Sequence, residues 1–282
     1  MVAITAQTMA DEIARQQRLS RSITDLQQSV SSGRKLTSPS QDPQAWVQVS
    51  EIGRTQAQQA AWQSNVNYGV SRDKKAQSNL EEMNTLLSRV RESLVTAGST
   101  GLDPAGQAAV VADLQGIRSS ISDLVNEKDY QGIPVFDDTV STQVPVARGV
   151  NLEVVGTRQS VSEGINLGIG PLVTLDDILA QAIAAVQSGV PANMASALTS
   201  AEKGLDHVIL AQSVQGIRSD RLDAASNSLT DVDLTLSERR SKLEDTDLTS
   251  AIATIPAGLL SLEAAQSAFA RINRQSLFDL IR

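Results

Sequence analysis

Residues 222–243 read LDAASNSLTDVDLTLSERRSKL, and this stretch decides the fold class of the chain. Ala225 and Val232 fill intermediate positions between leucines that recur every seven residues, namely Leu222, Leu229, Leu236 and Leu243. A seven-residue apolar repeat is typical of helices that pack in coiled coils. The sequence therefore predicts a long helix from about Ala192 to the mid-240s, some 50 residues and roughly 75 Å long at ~1.5 Å per residue.

Helical periodicity also governs the first 125 residues. A first helix is predicted to end at Gly33, because apolar residues mostly three or four apart precede that glycine: Met9, Ile13, Leu19, Ile23, Leu26 and Val30. A second helix is expected to begin near Gln41 or Asp42 with Pro43 in its first turn, and to end at Gly98–Gly101. A third helix is expected after Pro104. The apolar seams of these two helices comprise Leu80, Met83, Leu87, Val90 and Leu94, then Val110, Leu114, Ile117, Ile121 and Leu124.

The helical pattern is lost from about Tyr130, and the segment without it is assigned to residues 130–172. Glycines, prolines and acidic residues interrupt the helical repeat, and apolar residues alternate with polar ones at Val150, Leu152 and Val154, as in a half-buried strand. A weaker continuation of this pattern includes Val161, Ile165, Leu167 and Ile169. We expect a small β-rich insertion or a pair of hairpins.

Helix is expected to resume at Thr174, because Asp177 stands at the return position of a capping box, and to break at Gly189 and Pro191. Together these patterns predict a mainly α protein: an elongated antiparallel helical bundle or coiled coil with a small β-rich insertion and terminal helices that order on assembly. The predicted segments are an N-terminal assembly helix with a polar link (residues 1–42), two halves of a helical rod domain (43–129 and 173–246), the insertion (130–172) and a C-terminal assembly helix (247–282).

Both chain ends carry narrow apolar seams that a lone helix cannot bury. Pro256, within the C-terminal seam, predicts either a kink or a helix start. Ordering about 25 residues at either end costs more backbone entropy than the burial of a few side chains returns. We therefore expect the ends to become helical only against neighbouring subunits. The C-terminal residues assigned to this assembly interface, beside the N-terminal seam above, are Leu259, Leu262, Phe269, Ile272, Leu277 and Phe278.

Composition argues against several classes of protein. The net charge is −8, and only 2% of residues are aromatic, fewer than a compact enzyme uses to shape pockets. The acidic balance argues against nucleic-acid binding, which needs clustered cations. The chain has no cysteine, which excludes disulfides and thiolate chemistry. No apolar stretch of about 20 residues is evident, so no membrane insertion is expected, and Met1 to Ser20 does not resemble a cleavable signal peptide.

Nothing in the sequence indicates an enzyme. His207, the only histidine, is interpreted as a helix-surface residue, since no carboxylate partners for a metal are evident. The acidic pair at 137–138 is assigned to a turn. The pair at 176–177 is assigned to the first turn of a helix, where negative charge is favourable. No phosphate-binding loop, nucleophile elbow or dinucleotide-binding glycine pattern occurs. We therefore expect no catalytic residue, no metal site and no cofactor.

The stretch SSGRKLTSPSQDP at residues 31–43 resembles the polar turn that follows the first helix in the bacterial flagellin family. The order of segments is similar to that family over nearly the whole chain. Residues 38–43 and the ending SLFDL at 276–280 are more similar to members at the hook–filament junction than to filament subunits. Gln41 replaces a common acidic residue, and Leu280 replaces an aromatic one. The marker residues of the turn are Gly33, Pro39, Asp42 and Pro43.

The resemblance implies a structural axial protein of the bacterial flagellum that joins the hook to the flagellin filament by stacking of its terminal helices. It implies self-association in a helical ring or filament, with flagellin and the first hook-associated protein as neighbours. It also implies an export chaperone before secretion and export through the flagellar type III apparatus without a cleaved signal peptide. The expected location is therefore extracellular.

Three other functions stay open on the sequence. The chain could be a flagellin built into the filament itself, which uses the same physics at a different position. It could be a cytoplasmic coiled-coil scaffold, or a surface adhesin that binds through the insertion.

Isolated peptides covering residues 1–35 and 248–282 are expected to show little helical circular dichroism in buffer. The physical reason is that a single amphipathic helix leaves its apolar seam in water and short helices are marginal alone. A strong helical signal from either peptide by itself would contradict the expected dependence on packing.

Overall fold

The computed structural model describes residues 6–100, 103–129, 131–138, 140–168 and 170–279. The chain is mainly α, as the sequence predicts, and a small antiparallel sheet is its only sheet within these residues. The described elements, in chain order, are α1 (Ala6–Ser32), α2 (Pro43–Thr100), α3 (Pro104–Val125), β1 (Thr142–Ala147), β2 (Val150–Val155), α4 (Arg158–Ser162), α5 (Leu175–Ser188), α6 (Pro191–Glu244) and α7 (Leu248–Asp279).

The chain divides into two compact units. The terminal unit contains the described residues up to Ala57 and from Val232 onward, and the middle unit is Gln58–Asp231. The long helices α2 and α6 each contribute residues to both units. The five segments predicted from the sequence are a finer division, which stays a prediction.

The apolar seams predicted for α2 and α3 form much of the core of the middle unit. In α2 the whole predicted seam is buried, and in α3 its central residues Leu114, Ile117 and Ile121 are buried. Helix α3 packs on α5, whose buried face supplies Leu175, Ile178, Leu179, Ala182 and Val186. The three-and-four spacing in the sequence therefore marks the side of each helix that faces the core.

Local chemistry sets the helix ends at the predicted places. Gly33 follows α1 with a φ of +73°, which favours glycine. The Thr174 Oγ1 accepts a hydrogen bond from the Asp177 amide at 3.1 Å, and an Asp177 carboxylate oxygen accepts from the Thr174 amide at 2.9 Å. This reciprocal pair is the predicted capping box of α5. Pro256 lies inside α7, so the alternative of a helix start near it is wrong.

Among the described residues, the β-rich insertion contains one hairpin. Strands β1 and β2 pair antiparallel, with Val144 opposite Leu152, and Gly149 adopts a φ of +73° at the turn. The strand predicted at residues 150–154 is confirmed. Four valines of the hairpin are buried: Val144, Val146, Val154 and Val155.

The weaker strand pattern after the hairpin is wrong as a strand. Val161 lies in the short helix α4, and Ile165 forms only an isolated bridge with Val173. Both Val161 and Ile165 are buried, so burial explains their apolar character without a regular strand. Leu167 is half-buried outside any strand, while Tyr130 and Ile169 lie outside the described residues.

The heptad seam of α6 is buried only in part. Leu222 and Leu229 are buried, and Leu236, Leu243 and Ala225 are half-buried. Val232 is 38% exposed, so its assignment to the seam is wrong. The physical reason is that an α-helix turns every ~3.6 residues, so a strict seven-residue repeat rotates away from a fixed face.

Gly69 marks a close approach between three elements of the middle unit. A Cβ atom at this position of α2 would lie 3.2 Å from the nearest methyl carbons of Leu222 and Val154, and 3.3 Å from one of Val144. These contacts are tighter than ordinary van der Waals spacing. The missing side chain therefore lets α2 approach both α6 and the hairpin.

Gly69→Leu is expected to lower the free energy of unfolding by about 1–3 kcal/mol, because the added carbons overpack the contact with α6 and the hairpin. The measurement is urea denaturation monitored by circular dichroism. Gly116→Leu is the matched control, because a Cβ there meets nothing within 4 Å and both substitutions gain helix propensity. Equal stability of the two variants would contradict the crowding argument.

Candidate functional site

The polar turn at residues 33–42 is fastened to the end of α6 by backbone hydrogen bonds. The Lys35 amide donates to the Glu244 carbonyl oxygen at 2.8 Å, and the Thr246 amide donates to the Gly33 carbonyl oxygen at 3.0 Å. The Lys35 ammonium group also donates to the Lys242 carbonyl oxygen at 2.8 Å. The turn that follows the first helix and the link that precedes the last one therefore form one structural feature of the terminal unit.

Glu244 is the charged centre of this feature and is buried. One carboxylate oxygen lies 3.1 Å from Nη1 of Arg34, and the other accepts a hydrogen bond from Nε of Arg240 at 2.7 Å. The hydrogen bond and the negative charge of Glu244 raise the pKa of the Arg240 guanidinium above its ordinary value. A buried carboxylate is tolerated when it is paired in this way. Arg34 links the end of α1 to α6, whereas Arg240 pairs with Glu244 from within α6.

The marker residues of the turn shape its backbone. Pro39 occupies the second position of a turn closed by a hydrogen bond from the Gln41 amide to the Ser38 carbonyl oxygen. An Asp42 carboxylate oxygen accepts from the amides of Gln44 and Ala45 at 3.0 and 2.9 Å, which caps α2. Helix α2 then begins at Pro43, the first-turn position predicted from the sequence.

Gln41 supplies an acceptor that the turn requires. Its Oε1 accepts hydrogen bonds from the Thr37 amide at 2.7 Å, the Ser38 amide at 3.1 Å and the Thr37 hydroxyl at 3.2 Å. A carboxylate oxygen could accept the same bonds. The replacement of an acidic residue by Gln41 therefore preserves the local hydrogen-bond geometry.

The terminal helices α1 and α7 pack against each other. Ile23 of α1 is buried. A Cβ atom at Gly258 of α7 would lie 3.1 Å from Cγ1 of Ile23. Ala251 of α7 is buried as well. Gly258 and Ala251 are small, so they let α1 and α7 approach closely. The sequence analysis missed this role because it followed only the spacing of large apolar residues.

The pair leaves much of the predicted assembly seam exposed. In α1, Ile13 is 42% exposed, while Met9, Leu19, Leu26 and Val30 are half-buried. In α7, Leu262 and Phe269 are half-buried and Leu259 is 47% exposed. The side chains of Ile272, Leu277 and Phe278 lie outside the described part of the structure, as does Leu280. The use of the seam in assembly stays a prediction.

Helix α7 is more apolar than the sequence interpretation allowed. Leu260 and Ile252 are 69% and 59% exposed. Residues Leu248–Arg271 have a mean hydropathy of 1.4, and among the described residues this helix is long and apolar enough to cross a membrane by length and composition alone. The expectation of no such stretch is wrong, because it overlooked the small uncharged residues between the large apolar ones. Only 6% of the most apolar part of this helix is buried.

The residues considered for chemistry have structural partners. Asp176 accepts two hydrogen bonds from Arg118, both at 2.6 Å, and this pairing lowers the pKa of Asp176. Asp138 is ion-paired with Arg158. Throughout the described ranges, no group of three potential metal-ligating side chains occurs.

His207 is half-buried rather than a surface residue, which corrects the sequence interpretation. Burial lowers the pKa of its imidazole, against a smaller opposing effect of a backbone hydrogen bond at Ser160. Its Nε2 is buried and has no hydrogen-bond partner among the described residues. The environment therefore favours the neutral imidazole.

Gln41→Glu is expected to leave the turn intact, whereas Gln41→Leu removes the acceptor and is expected to cost about 0.5–1.5 kcal/mol. Amide hydrogen exchange at Thr37 and Ser38 should accelerate in the leucine variant alone, and chemical denaturation measures the change in stability. Unchanged exchange at both amides in Gln41→Leu would contradict the assigned role.

Comparisons with known proteins agree with this architecture. The family profile of the bacterial flagellin N-terminal helical region matches residues 4–141, and that of the bacterial flagellin C-terminal helical region matches residues 197–281. Flagellar hook-associated protein 3 of Salmonella typhimurium is 25% identical over 91% of this chain and 92% of its own length. Flagellin FljM of Caulobacter vibrioides is 23% identical over 75% of this chain and 78% of its own length.

A solved structure shares the fold. The crystal structure of flagellar hook associated protein-3 from Legionella pneumophila matches with a TM-score of 0.62 and 13% identity, covering 69% of this chain and 98% of that one. The two family profiles together match well over half of the chain and include the polar turn and both terminal helices. The chain belongs to the bacterial flagellin family.

Proposed function

We propose that this chain is the structural subunit that joins the flagellar hook to the flagellin filament. The observation that carries the proposal is the match to a hook-associated protein 3 over nine-tenths of both chains. The junction-type motifs at residues 38–43 and 276–280 support the same position in the flagellum. A non-enzymatic role accompanies it, since Asp177 caps a helix and Asp176 and Asp138 pair with arginines.

The exposed apolar surface of the terminal unit supports assembly through its helices. Leu259, Leu260 and Ile252 of α7 and Ile13 of α1 stay in contact with solvent although α1 and α7 pack together. Burying apolar area on neighbouring copies contributes about 25 cal/mol per Å². In this proposal α7, although apolar enough to cross a membrane, packs against protein instead.

The proposed partners follow from the position of the subunit between the hook and the filament. Copies of this chain would stack on one another, with the first hook-associated protein on one side and flagellin on the other. An export chaperone would cover the apolar seam before secretion through the flagellar type III apparatus. The finished subunit would then lie outside the cell.

Filament flagellin is the second candidate, because a Caulobacter flagellin matches three-quarters of the chain. The two candidates differ in copy number and in place along the flagellum. Labelling restricted to one band at the hook end supports the junction subunit, whereas labelling along the whole filament supports a flagellin.

Deletion of the gene in its host is expected to leave hooks in place while flagellin is shed into the medium as monomers. The native chain should restore filaments, and a variant with Leu259→Glu and Leu260→Glu should not, because the two charges would oppose burial of α7. The measurements are motility, electron microscopy with immunogold labelling, and immunoblots of flagellin in the medium.

The matched control is Val150→Glu with Leu172→Glu, which adds two charges at exposed apolar positions of the middle unit. It should restore filaments like the native chain. Normal filaments in the deletion strain would overturn the junction role, and restoration by the α7 variant would overturn the role of its exposed face.

A further inference from the structure

A groove in the middle unit lies between one face of α2 and three residues that follow α3, namely Lys128, Asp129 and Val135. Its volume is about 760 Å³, within the range of ligand-binding clefts. The residues from α2 fall in two adjacent rows, 67/71/74/78 and 68/72/75, with steps of three or four in each row, so they share one helix face. The lining comprises Asn67, Tyr68, Ser71, Arg72, Lys74, Lys75, Ser78, Lys128, Asp129 and Val135.

Arg72 lines the groove and is only 5% exposed. Its guanidinium donates to Asp129 at 2.7 Å and to the carbonyl oxygen of Pro134, and it lies 5.9 Å from the centre of the Tyr68 ring. Despite these contacts, its Nε–H is buried and has no acceptor among the described residues. A ligand in the groove does not reach this buried donor, so Arg72 shapes the groove and does not itself contact a ligand.

The carboxylate of Asp129 is fully used in hydrogen bonds to the loop after α3 and to Arg72, so it does not occupy the position of a ligand in the groove. One carboxylate oxygen accepts from the amides of Gln131 and Ile133 at 2.8 and 2.9 Å, and the other accepts from Arg72. Although desolvation opposes it, these hydrogen bonds and the arginine charge lower the pKa of Asp129. The carboxylate therefore acts as a fixed counter-charge to Arg72.

The lysines of the groove are neutralised unequally. The Lys75 ammonium lies 2.7 Å from Glu127, which neutralises it. Lys74 and Lys128 are exposed, and neither has a carboxylate within 4.0 Å in the part of the chain that the structure describes. Two ammonium groups thus stand free in the lining of a groove that already contains a buried arginine.

The groove differs in charge from the rest of the chain. Its lining carries four cations and one carboxylate, and Glu127 pairs with one of the cations, so these groups total +2, whereas the whole chain carries −8. The remaining residues therefore total −10. Such a local reversal attracts negatively charged segments and repels cationic ones.

We propose that this groove binds an acidic peptide segment of a partner protein. Glutamate and aspartate side chains combine a carboxylate with a short apolar stem. The free ammonium groups of Lys74 and Lys128 suit the carboxylates, and the ring of Tyr68 with Val135 offers an apolar wall for the stems. Inorganic anions could use only the charges. The groove lies apart in sequence from the terminal helices, so its failure to bind would leave the axial role of the chain intact.

Binding is tested on the full chain with a fluorescently labelled hexaglutamate peptide, by fluorescence anisotropy at about 20 mM salt, where charges are weakly screened. The native chain is expected to bind the peptide and to lose affinity as salt rises. The variant Lys74→Gln with Lys128→Gln is expected to bind at least about tenfold more weakly. Circular dichroism should show that its fold is unchanged, because both side chains are exposed.

The matched control is Lys203→Gln with Arg221→Gln, which removes two exposed cations from α6 outside the groove. It should bind hexaglutamate within about twofold of the native chain. No peptide binding by the native chain, or equal weakening in both variants, would overturn the proposal. Citrate and pyrophosphate are tested as competitors, and either one binding as tightly as the peptide would show a small-anion site instead.

Discussion

The apolar seams of the long helices must be covered along their whole length, and the rest of the structure depends on this constraint. In the middle unit α3, α5, α6 and the hairpin cover the seam of α2, with Gly69 opening the space for close contact with Leu222 and Val154. A helix core of small aliphatic residues needs few aromatics, which agrees with the 2% aromatic content. The buried side chains of the middle unit form one connected core that is mostly aliphatic.

In the terminal unit the apolar seams are only partly covered. Helices α1 and α7 bury Ile23 and Ala251, yet Leu259 and Leu260 remain exposed. Ion pairs add to the contacts within this unit, because Glu244 pairs with both Arg34 and Arg240. A unit organised by ion pairs and by half-covered apolar helices is suited to completion by other copies, which is how a flagellin-family subunit would use it.

Local rules explain why so much of the helical architecture could be predicted. Gly33, Pro43 and the Thr174–Asp177 capping box act within a few residues of the chain, so their effects follow from residue type and spacing alone. The errors arose where distant packing decides. Val161 and Ile165 owe their apolar character to burial rather than to a strand, and no spacing rule shows that His207 is half-buried against the backbone at Ser160.

The sequence by itself determined every described helix except the short α4, the strand at residues 150–154 and the resemblance to the flagellin family, because periodicity and capping are local properties. Only the tertiary structure decided which seam residues are covered, as the exposure of Val232 shows. It also assembled the groove, by joining Lys74 of α2 to Lys128 of a loop more than fifty residues away. The physical reason is that burial and charge clustering depend on distances between residues far apart in the chain.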